Sequence, residues 1–242
     1  MKTLIKKIFW PGPDFGTRDR YKLKKLLLKG PGVRTLDVGF GNGCMTIYAG
    51  QKGEYSCGVS ILEHEVIKAN NLKLAFGLDD QRCMFKKVHL NEMDESDSHK
   101  FDQIIMFEVL EHIVDDKTAV EKAYRLLKER GQLHVCVPNR DFHFHFEPLN
   151  RFENGGHVRH GYDFQSLQYL LENAGFEILD RRGVSGNGSV LGFKVVAFLR
   201  KFPGPLGQIL SLIGFLIMWP VVQLINVFNC RPWSIYMLAC KR

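Results

Sequence analysis

Several things are missing from this 242-residue chain, and each absence removes a class of protein. Its six cysteines, at 44, 57, 83, 136, 230 and 240, form no Cys-x-x-Cys pair and no other metal-ligand spacing. Zinc ribbons and dithiol redox motifs are thereby excluded, and with no secretory signal before them the expectation is reduced thiols in the cytoplasm. A glycine-rich turn at Gly39, Gly41 and Gly43 reads G-x-G-x-G. It lacks the extra residue of a dinucleotide-binding G-x-G-x-x-G and the Gly-Lys-Ser/Thr of a P-loop. Charge is absent altogether from Phe202 to Cys230.

What is present points to an α/β fold of one domain, 1–242. Hydrophobic residues make up 45% of the sequence, enough for one substantial core. The net charge of +7 is concentrated in a basic N-terminal segment, 1–34, which holds ten Lys/Arg against Asp14 and Asp19. Its first ten residues interleave lysines with apolar side chains, which suits an anionic membrane surface, a nucleic acid, or a solvated first helix. Strands are predicted over Val33–Val38, Tyr55–Val59, Met84–Val88, Phe101–Phe107, Gln132–Val137 and Phe176–Arg182. Helices are predicted over about Cys44–Gly50, Leu62–Gly77, Asp116–Arg130 and Phe164–Gly175. Continuous apolar strands alternating with helices imply a parallel sheet covered on both faces. Ligands of such sheets bind beyond the carboxyl ends of the strands, where Gly39–Gly43, Ser60, Asn91, Glu108 and Asn139 fall.

The segments Leu36-Asp-Val-Gly-Phe-Gly-Asn-Gly43, Phe101-Asp102, Glu108-Val-Leu-Glu-His-Ile113, Leu126-Leu-Lys-Glu-Arg-Gly131 and Val137-Pro-Asn139, in this order, resemble the successive signatures of class I S-adenosylmethionine-dependent methyltransferases. The Glu-Val-Leu-Glu-His stretch is similar to that of the ubiquinone-biosynthesis type. The resemblance implies a Rossmann-like seven-stranded sheet with helices on both faces, its last strand formed by Trp233–Arg242. It also implies S-adenosylmethionine as cofactor, with Gly39, Gly41 and Gly43 lining its methionine and ribose portion, Asp37 supporting its amino group and Phe40 among the cofactor-binding residues. Phe107 and Asn91 join the cofactor-binding candidates. The family's ribose-binding acid at the end of the second strand is replaced by Ser60, for which Glu63 is a possible substitute. The acid that recognises adenine is replaced by His89-Leu-Asn-Glu92.

Methyl transfer from a sulfonium needs alignment more than acid–base chemistry, so a base serves only a protonated acceptor. Glu108, Glu111 and His112 share a face if their segment is a helical turn. His112 is then a candidate general base beside Glu108, or an ordinary hydrogen-bonded histidine at a helix start. In the ubiquinone O-methyltransferases the matching Glu, Glu and His are associated with a divalent cation, which makes Glu108, Glu111 and His112 candidate ligands. Gly155-Gly-His-Val-Arg-His-Gly-Tyr162 adds His157 and His160 as substrate-side candidates or as loop-packing residues. The preceding Phe142-His-Phe-His-Phe146 suits a lid over an apolar substrate.

The hydrophobic insertion, 185–232, distinguishes the chain. Leu206–Phe228 is long enough to cross a bilayer, yet Pro220 is expected to split it into two shorter helices. A monotopic helical hairpin is preferred over a span or a buried lid. With the basic N-terminus it forms two membrane-binding signals on the cytoplasmic face. The preferred function is methylation of a small apolar or lipid-linked acceptor at the membrane surface. A nucleic-acid methyltransferase is disfavoured because Phe107-Glu-Val-Leu110 stands where base-amino enzymes carry Asn/Asp-Pro-Pro-aromatic. A non-catalytic protein of the same fold is the third reading.

Overall fold

The computed structural model describes residues 10–94, 96, 100–142, 149–153, 155–228 and 231–242. The lysine-rich segment before Trp10, the alternating histidines of 143–146 and Cys230 lie outside the described residues. In chain order the elements are α1 (Phe15–Lys22), β1 (Arg34–Val38), α2 (Cys44–Lys52), β2 (Tyr55–Ser60), α3 (Glu63–Ala75), β3 (Cys83–Lys87), β4 (Phe101–Phe107), α4 (Asp116–Leu126), β5 (Leu127–Pro138), α5 (Phe164–Asn173), β6 (Phe176–Val184), α6 (Asn187–Arg200), α7 (Gly204–Phe228) and β7 (Ser234–Lys241). The chain divides into two compact units, one comprising residues 24–182 and 235–242, the other 1–23 and 183–234.

The seven strands form one sheet in the order β3-β2-β1-β4-β5-β7-β6. β1 pairs in parallel with β2 on one side, Asp37 opposite Gly58, and with β4 on the other, Asp37 opposite Ile105. The central strands carry apolar side chains on both faces because both are covered: Leu36, Ile104, Ile105, Met106, Leu133, Val135 and Val137 are all buried. Strand order reverses between β1 and β4. The crossovers from β1 to β2 and from β4 to β5 run in opposite directions, so right-handed connections put their helices on opposite faces and open a crevice at the carboxyl ends of β1 and β4.

Two expectations are corrected. The helix expected to reach Arg130 ends at Leu126, and β5 begins at Leu127 rather than Gln132. Leu127 is fully buried and pairs with Phe101 of β4, so sheet pairing overrides the helix propensity of Lys128-Glu-Arg130. Arg130 then turns the chain with a φ of 61°. Pro220 does not divide the hydrophobic run, because α7 is one helix of 25 residues with Pro220 inside it. Pro220 and Leu216, whose carbonyl loses its helical donor, both lie on the exposed side, so no buried acceptor is stranded.

In the second unit α6 and α7 pack as a hairpin with glycines at the contact. A Cβ on Gly188 would lie 2.7 Å from the Val222 carbonyl oxygen, and one on Gly214 would lie 2.3 Å from Leu199 Cδ1. Buried Asp19 accepts from Ser189 Oγ and from Lys22 Nζ (2.6 Å), while Asn226 Nδ2 donates to Ser189 Oγ at 2.8 Å. This network ties α1, α6 and α7 together.

Candidate functional site

The glycine loop leaves β1 at the crevice, and its three glycines do different work. All have positive φ, 65°, 54° and 77° at 39, 41 and 43, in the left-handed region that only glycine enters without cost. A Cβ on Gly39 would sit 2.5 Å from Val109 Cγ2, and one on Gly43 2.9 Å from the Phe85 ring, so both permit close packing. A Cβ on Gly41 would meet nothing within 4 Å. Gly41 is thus the position where the loop backbone faces open space, and Gly43 opens α2 as its N-cap. Phe40, expected on the cofactor, is buried with its ring centroid 4.7 Å from that of Phe85. It anchors the loop from within.

Asp37, at the base of the loop, is buried and accepts from Thr46 Oγ1 at 2.6 Å. Burial outweighs that hydrogen bond and pushes its carboxyl up to about 7. A carboxylate held this way gains most from a cationic partner. At the end of β2, Ser60 Oγ donates to Glu65 Oε2 at 2.7 Å and accepts from Leu62 N at 3.1 Å. Glu63 instead faces Lys87 at 3.4 Å in an exposed pair. The acid beside Ser60 is therefore Glu65, which the sequence reading missed. Asn91 lies exposed in a short 3-10 turn, its N–H directed at His89 Nδ1, and His89 Nε2 lies 3.3 Å from Glu153. Glu153 also accepts from Val114 N at 2.7 Å, linking the segments after β3 and β4.

The segment after β4 begins with backbone strain. Glu108 has a φ of 55°, unusual for a residue with a side chain, and its N–H donates to the Cys136 carbonyl at 2.7 Å. A 3-10 turn follows, Leu110–His112. The metal set expected from sequence was Glu108, Glu111 and His112; the structure groups Glu111, His112 and His157 instead, with one ligand atom of each within 4.8 Å of the others. Glu108 falls outside this group because its left-handed backbone takes it off the turn's face. Glu111 is fully buried, and His112 Nε2 lies 3.8 Å from its Oε1. The His112 and His157 rings meet edge to face, centroids 4.7 Å apart. Buried His112 Nδ1 has no hydrogen-bond partner among the described residues.

The 155–162 loop is docked on this turn. Val158 N donates to the Glu111 carbonyl at 2.8 Å, and Arg159 Nη2 to the carbonyls of Ile113 and Val114 at 2.8 and 2.9 Å. Tyr162 Oη donates to Asp116 Oδ2 at 2.6 Å, and Arg159 pairs with the same carboxylate. Burial raises the Tyr162 phenol far above its ordinary value. Arg159 and Tyr162 therefore hold the loop, and His157 is the side chain they deliver to the cluster. His160 is exposed and outside it. Phe107 sits at the end of β4, its ring 6.2 Å from that of Tyr236.

A seven-stranded sheet of this order, with a glycine loop after its central strand, is the fold of the class I S-adenosylmethionine-dependent methyltransferases. A family model described as a methyltransferase domain matches residues 16–181, and the chain belongs to that family. Similar curated relatives include the mitochondrial ubiquinone biosynthesis O-methyltransferase of Bos taurus, 28% identical over 109 residues, 45% of this chain and 30% of the relative. The ubiquinone biosynthesis O-methyltransferase of Pseudomonas entomophila (strain L48) is 27% identical over 110 residues, 46% of each chain. The chain spans less than half the length of these relatives. Among solved structures, the [4+2]-cyclase SpnF aligns with a TM-score of 0.63 at 20% identity, over 91% of this chain and 81% of that one.

Proposed function

We propose that this protein transfers a methyl group from S-adenosylmethionine to a small apolar or lipid-linked acceptor, at the cytoplasmic face of a membrane. One observation carries the reading: the glycine loop, open at Gly41, touches Val109 through Gly39, so the loop directly abuts the turn that bears Glu111 and His112. Donor and acceptor chemistry would then share the crevice beyond β1 and β4.

When bound, the cofactor supplies a methyl group that is already electrophilic. This chain's residues bind, align and deprotonate. The Gly41 backbone admits the cofactor, Asp37 faces its ammonium group, and Ser60 with Glu65 offers acceptors for a ribose hydroxyl. Asn91, in the turn after β3, and Phe107, at the end of β4, lie on the adenine and methyl sides in this reading. His112 takes a proton from a hydroxyl acceptor, with the His157 ring edge to face with it and Glu111 beside Nε2; Glu108 and His160 border the acceptor side. A divalent cation is a second reading of the same cluster, favoured by the convergence of Glu111, His112 and His157. Two imidazoles and one carboxylate suit zinc or iron better than magnesium.

The acceptor class rests on the apolar insertion and on the ubiquinone-pathway relatives. That a cyclase shares the fold is a reminder that chemistry resides in the site. The test is incubation of the protein with methyl-labelled S-adenosylmethionine and a membrane lipid extract. Label in the organic phase that depends on His112 supports the reading; label only in added nucleic acid contradicts it.

A further inference from the structure

The α6–α7 hairpin presents an apolar surface that its own packing leaves uncovered. Gly207, Ser211, Gly214, Phe215 and Val222 form the inner side of α7 and are buried. Arg18 closes that side, its guanidinium 5.0 Å from the Phe215 ring centroid and 5.1 Å from that of Trp219. The outer side carries Ile209, Ile213, Ile217, Leu224, Val227 and Phe228, between 47% and 80% exposed. At 3.6 residues per turn all six fall within about 100° of one another around the helix, which makes one continuous stripe. A helix apolar on both sides and only 22% buried over its most hydrophobic window needs an apolar neighbour outside the fold.

Charge identifies that neighbour. Between Gly183 and Ser234 there are four Lys/Arg and no Asp or Glu. Three of them, Lys194, Arg200 and Lys201, lie on α6 or in the turn to α7. Apolar residues bordered by basic ones and by no acid suit an anionic lipid surface, where each Lys or Arg near the headgroups adds attraction.

The connectivity then decides how the hairpin meets the bilayer. It starts and ends at one point, where Trp233 N donates to the Ser185 carbonyl at 3.4 Å. A chain that leaves and returns to one point crosses a membrane an even number of times. If α7 crossed, α6 would have to cross as well. α6 has 14 residues, about 21 Å at 1.5 Å per residue, too short for a hydrocarbon core of about 30 Å, and it carries Lys194 within its length. We infer that α7 lies in the plane of an anionic lipid surface on its Ile209–Phe228 stripe, with the α6–α7 turn on the same side of the bilayer as the hairpin's base. This deepens the membrane-surface reading above and rests on it.

Two measurements on the full chain test it. In flotation with phosphatidylcholine vesicles with and without phosphatidylglycerol, the protein should float with the anionic vesicles. Ile217→Asp/Leu224→Asp should reduce that by about tenfold or more while the circular dichroism melt is kept. Lys201 should then react with a membrane-impermeant amine reagent equally in intact and detergent-opened vesicles, read by mass spectrometry. Protection of Lys201 until detergent is added would establish a crossing and overturn the in-plane arrangement. Failure of the wild-type chain to float, or dimers by light scattering that Ile217→Asp/Leu224→Asp dissolves, would overturn lipid as the occupant. Cofactor binding by calorimetry on the same preparation separates these outcomes from failure of the enzymatic reading.

Discussion

Replacing Asp37 by Asn isolates one buried carboxyl at the base of the glycine loop. In the folded chain burial raises its pKa from 3.8 to about 7. Between those values the folded form keeps a proton that the unfolded chain has released, so stability falls as pH rises through the window and levels off above it. With those two pKa values, the contribution lost between pH 5 and pH 8 is about 2–3 kcal/mol. For a chain of this size that is roughly 5–10 °C in melting temperature. Asn cannot ionise, so the difference in stability between wild type and Asp37→Asn should change by that amount across the interval, the variant gaining relative to wild type as pH rises. Urea melts of both proteins at half-unit pH steps measure it. Because a cationic partner favours the ionised carboxyl, S-adenosylmethionine should bind the wild type more tightly as pH rises toward 7 and then level off. A stability difference that is flat with pH would refute the assignment of Asp37 as a desolvated acid.

Other expectations are more local. Gly41→Val places a side chain where the loop faces open space and should lower cofactor affinity about a hundredfold, read by calorimetry, with a backbone cost of about 1–2 kcal/mol in urea melts. Gly39→Ala meets Val109 at 2.5 Å and should instead destabilise the fold, so the two variants separate packing from binding. His112→Ala should reduce turnover about a hundredfold or more with cofactor affinity intact, and full activity would remove it as the base. Ser60→Ala, which releases Glu65, should weaken S-adenosylmethionine binding more than that of a 2′-deoxyribose analogue; equal losses would remove Ser60 from ribose recognition.

The parts of the fold written in short segments were legible in the sequence. Glycines two apart after an apolar strand specify a turn with positive φ, and continuous apolar runs at 101–107 and 132–137 specify buried parallel strands. What was not legible depends on partners distant in the chain. Lys128-Glu-Arg130 reads as helix until Leu127 is seen opposite Phe101. Glu63 and Glu65 are equivalent first-turn acids on paper; only the turn at Leu62, fixed by its bond to Ser60 Oγ, decides that Glu65 faces the strand end. His157 was recognised as a polar candidate, but its place beside His112 follows from Arg159 gripping the Ile113 and Val114 carbonyls, a contact between loops more than forty residues apart. The positive φ of Glu108, which removes it from the cluster, has no signature in its side chain.

The central claim is that the loop at Gly39–Gly43 binds S-adenosylmethionine, and titration calorimetry of the purified 242-residue chain tests it most directly. The account predicts saturable binding at one site per chain, weakened about a hundredfold by Gly41→Val in a protein that still melts cooperatively. Absence of binding at millimolar cofactor, or binding that Gly41→Val leaves unchanged, would contradict it.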